Sequence, residues 1–403
     1  MSSRRAFIGG GLAVAGLGAC GPIRTLALYA GMGGGTLDLK AATTLPFVLS
    51  GNHIYIRASV GGRTFAFIFD TGGAAIVTPE VQGAMKFAVL GHVQVGGVGS
   101  GSESSALVNV PLARVGDATY RDGAFIVLPM PPGIASPIPG LTLGGIVGRE
   151  FFTKLVTTID YQASTLTFTP PALFRPDPQV PSIPMSLKNG YAPSVAASVN
   201  GTVGTFDIDA GSGAGITLTA PFAKMAGVER DATRSFEAIL GYGAGGALEG
   251  TVLRAKSFVL GASTIVDPVV AIARASGGAF ANPDLGGNIG GDVLRRFTVT
   301  LDVANGKLYL APNAHLHDRL IANRAGIFSK PTVEETVVRL VPKGPGEEAG
   351  VRVGDVLAEV DGERPSHDRC TKAWLQPVGT KVALTLLRDG KRVDATVVLR
   401  DLV

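Results

Sequence analysis

A mainly β protein, with two similar halves and a small α+β unit behind them, is the fold class that this 403-residue sequence predicts. Three observations point there. The chain holds 56 glycines and 25 prolines but only 17% charged residues, a composition that favours short strands and turns over long helices. Two stretches repeat each other at a near-constant spacing. Proline-rich and polar connectors divide the chain into units of the usual domain size, about 100 to 200 residues.

The first twenty residues read as a targeting segment. Arg4-Arg5 precedes an apolar stretch rich in Gly and Ala that ends in Leu17-Gly18-Ala19-Cys20. This resembles a twin-arginine export leader closed by a bacterial lipoprotein box, and the apolar stretch is shorter than the roughly 20 residues that cross a bilayer. The resemblance implies that residues 1–20 are a cleaved signal segment and that Cys20 is lipidated. It also implies a place in the bacterial periplasm or cell envelope, held to the membrane by the lipid. Cys370 is the other cysteine, so no disulfide framework is expected. The net charge is +4, two of it from Arg4 and Arg5, and no Lys/Arg block occurs elsewhere, so nucleic acid is not an expected partner.

Strand-like runs begin near Leu45, as in His53-Ile54-Tyr55-Ile56 and Thr64-Phe65-Ala66-Phe67-Ile68-Phe69, the second ending at Asp70. The first half reads FAFIFDTGGAAIVTP and later GGIVGREFFTKLVTTIDY; the second reads GTFDIDAGSGAGITLTAP and later GGNIGGDVLRRFTVTLDV. Asp70 and Asp209 are 139 residues apart, and Gly148 to Gly290 and Asp160 to Asp302 are each 142 apart, offsets that indicate duplication. Prolines from Pro170 to Pro184 interrupt strand pairing between the halves and place a boundary near 175. A second boundary falls at 315–323, where His315-Leu316-His317-Asp318 reads as a solvated link rather than a metal site. Asp160 and Asp302 stand at strand-to-turn positions and read as structural.

Asp70 comes straight off an apolar strand, and the small residues after it let the backbone turn beside the carboxylate. Alone, Asp70-Thr71-Gly72 would pass for a β-turn; its duplication around Asp209 argues against that. A lone charge there is costly, but two carboxyls brought together can share a proton, one acting as base toward a water and the other as acid toward a peptide carbonyl. No G-x-S-x-G occurs, and the five histidines suggest no triad.

The Asp-Thr-Gly-Gly-Ala run after its apolar strand, with a later hydrophobic-hydrophobic-Gly stretch, resembles the retropepsin and pepsin clan of aspartic proteases over about residues 45–315. The resemblance implies two retropepsin-like closed β-barrel lobes, 45–175 and 180–315, forming a pseudo-dimer. It implies Asp70 and Asp209 as the catalytic pair, with Thr71, Gly72, Gly211 and Ser212 supporting their loops. Ile146-Val147-Gly148 and Asn288-Ile289-Gly290 would pack behind them. Gly-rich segments holding Gly97 and Gly99, and Tyr242 and Gly243, look like flap tips. Neither metal nor cofactor is implied. One departure stands out: the clan expects Thr or Ser where this sequence has Ala210, and Ser212 is the nearby hydroxyl. The alternative that follows is a peptide-binding envelope protein whose active site has lapsed.

The last unit, 324–403, contains Ala349-Gly350-Val351-Arg352-Val353-Gly354-Asp355, an apolar strand and an Asp361-Gly362 turn. This resembles a PDZ domain, which takes a peptide as an added strand. Gly326, Ile327 and Phe328 are then the expected peptide-binding loop, and the expected partner is a peptide or unfolded protein, recruited or admitted by this unit. A chain carrying both aspartates needs no second copy for catalysis, though homo-oligomers remain compatible with the sequence.

Overall fold

Among the described residues, strands hydrogen-bond into three sheets. The computed structural model describes residues 34–96, 101–131, 134–188, 192–243, 246–330 and 334–403. In the first half, strand Arg63–Asp70 is buried over its last six residues, which is why Phe65 to Phe69 form an unbroken apolar run instead of an alternation. Strand Leu143–Gly148 runs parallel to it, with Gly148 beside Asp70, and antiparallel to the short strand Ile76–Val77. A Cβ on Gly148 would stand 1.7 Å from the Asp70 carbonyl oxygen, so no larger residue fits. The second half repeats the pattern: Gly287–Ile289 lies parallel to Thr202–Ile208 and antiparallel to Ile216–Thr219. Each aspartate therefore leaves its strand where three strands meet.

Around this centre the pairing path of the first half returns on itself, because the long strand Ser102–Val115 bonds both to His53–Val60 and to Ala118–Val127. The second half follows the same route in shorter pieces. Gly246–Arg254 pairs with Val269–Ala273, while Ser257–Leu260 pairs with Ala192–Val199. Pro268, which has no N–H to give, stands at the break in the partner strand. Each half also carries a hairpin, Ala88–Gly96 with Ser102–Val115 and Ser235–Gly243 with Gly246–Arg254.

Three strands from each half join in one six-stranded stretch, ordered Thr43–Pro46, Thr165–Thr169, Val156–Asp160, Phe297–Asp302, Lys307–Pro312 and Ser182–Lys188. At its middle Thr158 lies opposite Thr300, their hydroxyls 3.0 Å apart. These threonines are counterparts in the repeat, 142 residues apart, so the repeat relates the halves by an approximate two-fold axis. Asp160 and Asp302 accept backbone N–H groups from Ala163 and Asn305 in the turns that follow them.

The C-terminal unit is a five-stranded sheet in the order Ile327–Lys330, Glu335–Leu340, Val356–Val360, Lys381–Arg388 and Lys391–Val398. With helix His367–Trp374 it builds its own core, in which Cys370 is buried. The sequence suggests a solvated link before it, and His315, His317 and Asp318 are indeed exposed, while the backbone of the link is held from inside. Buried Arg296 donates to the carbonyls of His315, Leu316 and Asp318, because a guanidinium out of water needs acceptors and the link supplies them. The unit is docked as well: Phe328, Val341 and Val403 pack with Phe236 and Val252 of the second half, and Arg339 pairs with Glu249 at 2.8 Å.

Candidate active site

Asp70 and Asp209 come from opposite halves and meet at the loop ends of their strands. Both are buried, at 4% and 1% exposure, and their carboxyls hydrogen-bond to each other. The glycine two places after each aspartate makes the approach possible. A Cβ on Gly72 would lie 2.7 Å from Asp209 Cγ, and one on Gly211 would lie 2.1 Å from Asp70 Cγ. The same glycines hold their own aspartates: Gly72 N–H donates to Asp70 Oδ1 at 2.6 Å, and Gly211 N–H to Asp209 Oδ1 at 2.9 Å.

One hydroxyl bridges the two loops. Thr71 Oγ1 donates to the Ile208 carbonyl at 2.7 Å and accepts from Ala210 N–H at 2.9 Å. Ala210 has no hydroxyl to return the pair. Ser212 does not take its place, since its Oγ accepts from Ala214 N–H at 3.4 Å inside its own loop.

Burial is the largest cause raising both carboxyls. Asp70 is held well above the usual carboxylate range by burial and then by the neighbouring Asp209. Asp209 is also raised by burial, against the donors that favour its charge, first of them Asn288 Nδ2 at 2.7 Å from Asp209 Oδ2.

Three supporting residues escape a motif search. Asn288 is buried on the strand behind Asp209, where the first half has Ile146. Glu150, also buried, accepts from Ala75 N–H at 3.2 Å and Gly148 N–H at 3.4 Å, tying the loop after Asp70 to the strand behind it. Burial pushes the Glu150 carboxyl up. Asn52 Nδ2 donates to the Gly213 carbonyl at 3.0 Å, while neighbouring Gly51 N–H donates to Asp368 Oδ1 of the C-terminal unit at 3.1 Å. Asn288 could have been found by aligning the two halves, which sets an amide opposite an isoleucine.

The remaining expected site residues do not join the pair. Cys20, Gly97 and Gly99 lie outside the described residues. Tyr242 and Gly243 end the first strand of the second hairpin, and burial, then Glu335 and Glu249, raises the Tyr242 hydroxyl. Gly326 N–H is already taken by Asn323 Oδ1 at 3.0 Å. Ile327 lies in the core of its own unit, and the Phe328 ring stands 6.3 Å from that of Phe236. Beside the Asp209 loop a cavity of about 190 Å³ is lined by Gly215, Ile216, Leu240, Leu320 and Phe328 among others.

Comparison with known proteins speaks to the two parts of the chain separately. Among solved structures, the aspartic proteinase from Irpex lacteus is similar at 15% identity and a TM-score of 0.45, over 69% of this chain and 99% of that one. The periplasmic serine endoprotease DegP of Escherichia coli strain K12 is 35% identical over 66 residues, 16% of this chain, and DegP of strain O157:H7 matches equally. The chain spans only 14% of the length of these curated relatives. A PDZ domain family model matches residues 336–388, and the C-terminal unit is a PDZ domain.

Proposed function

We propose that this protein is an aspartic endopeptidase of the retropepsin and pepsin clan, exported to the bacterial cell envelope and anchored by a lipid at Cys20. Asp70 and Asp209 hydrolyse peptide bonds with a water held between them. The supporting observation is the pair itself: two buried carboxyls, one from each half, hydrogen-bonded to each other. Like charges so placed cannot both ionise, so the pair shares one proton. The ionised carboxyl takes a proton from the water as the water oxygen bonds to the peptide carbonyl carbon. The protonated carboxyl gives its proton to the carbonyl oxygen. When the resulting diol collapses, the C–N bond breaks and the amine takes the proton first lifted from water. One diol hydroxyl then returns a proton to the other carboxyl, and the pair is restored.

The PDZ domain presents peptide or unfolded protein to this cleft, and the cavity beside Gly215 suits an apolar side chain of the substrate. The test is cleavage of an unfolded protein, from acidic to neutral pH, by protein beginning at residue 21. Asp70→Asn and Asp209→Asn should each lower the rate by roughly 10²–10⁴-fold. No cleavage by the parent at any pH would sink the reading. Ala210 favours a second reading, a peptide-binding protein with a lapsed dyad, since one of the two cross-loop hydroxyls is missing. Retention of unfolded protein without cleavage would establish it.

A further inference from the structure

We infer that Asn288 is a positioning residue that makes Asp209 the charged member of the pair and leaves the shared proton on Asp70. This rests on the dyad chemistry proposed above. Asn288 Nδ2 points at Asp209 Oδ2 from 2.7 Å, and the residue is only 4% exposed. An amide N–H can only donate, so it stabilises a carboxylate and not the acid's own O–H. Among the described residues, the side-chain hydrogen-bond partner of Asp70 is Asp209 itself, and the donors to the Asp70 carboxyl are the backbone amides of Gly72 and Gly73.

The repeat sharpens this. At the matching place in the first half stands Ile146, on strand Leu143–Gly148, and it sends no donor to Asp70. A buried amide is costly unless it is hydrogen-bonded, whereas an aliphatic residue at that position packs without cost. The amide at 288 is thus an asymmetry placed at the one carboxyl where a donor changes the chemistry. Around Asp209 the other groups able to titrate leave the assignment intact. Tyr161, from the first half, is held neutral through the acid range by burial and by Asp209 itself. Asp207 on the same strand is bonded to Ser194 Oγ at 2.6 Å. Asp292 pairs with Arg295 at 2.9 Å, Glu150 serves the loop of Asp70, and His53 lies against Gly213.

The consequence is directional. Asn288 stabilises the singly ionised pair against the doubly protonated one, so Asn288→Leu should move the acid limb of the cleavage profile to higher pH, by about one to two pH units. The alkaline limb reports the proton on Asp70. It should stay within about half a unit, whereas a merely structural role would lower the rate without moving either limb. Carbon-13 titration of the two carboxyls in the parent protein, assigned with Asp70→Asn and Asp209→Asn, tests the same assignment without needing cleavage or a folded Asn288 variant. The expected result is a charge on Asp209 while Asp70 keeps its proton. Charge on Asp70, an even share between the two, or an unmoved acid limb in Asn288→Leu would overturn the inference. A parent that never cleaves but still titrates Asp209 first would remove the protease reading and leave Asn288 in its role.

Discussion

Asp70 is where burial and charge pull against each other. Its carboxyl is raised well above the unfolded value of about 3.9 by burial and by Asp209. A group raised on folding contributes stability below its unfolded pKa and loses it as pH climbs through the folded one. Asp70→Asn removes that titration while keeping the shape. The variant is therefore expected to melt at a higher temperature than the parent at pH 7, the difference closing below about pH 4; thermal scans over pH decide it. That Asp70, Asp209 and Thr71 stand together was legible in the sequence, because the motif fixes their order along the chain. Glu150 was not, and of Asn288 only its place behind the loops was: its bond to Asp209 depends on its strand neighbours, Asp207 and Thr217, a relation that spacing along one chain does not display.

At the scale of elements, the doubly buried strands announced themselves by unbroken apolar runs, and the C-terminal unit by its Gly-Asp turn. The purpose of that turn is visible only in three dimensions. Asp355, 1% exposed, accepts from Arg388 Nε at 2.8 Å and Nη2 at 2.7 Å and from Arg352 N–H at 2.8 Å. The Arg388 guanidinium holds its carboxyl below the usual range, so its stabilisation is complete above the ordinary carboxylate pKa and fades as pH falls through the lowered one. Arg388→Ala takes from Asp355 its guanidinium partner and should lower the stability of this unit at neutral pH, and by less in acid. Trp374 is the chain's single tryptophan and sits in this core, so its fluorescence in denaturant reads this unit alone.

Across the whole molecule, the sequence conveys three units but not how they are fastened. The PDZ domain leans on the second half through Phe328 against Phe236, and helix His367–Trp374 reaches the first half through Asp368 and Gly51. Such contacts join residues whose separation along the chain carries no period or motif. Phe328→Glu places a charge in the apolar seam. It should expose the link around Arg319–Asn323 to proteases about tenfold faster, in line with roughly 1.4 kcal/mol lost per decade, while the Trp374 unfolding midpoint holds because the domain keeps its own core. Unchanged proteolysis would mean that the seam is not what fastens the unit. A different consequence lies in the facing pair Thr158 and Thr300. Residues that sit across an axis from their own counterparts belong to a surface that is complementary to itself. A first half released from its neighbour would therefore find its natural mate in another molecule of the same kind, threonine against identical threonine, with the two copies of Asp70 brought face to face.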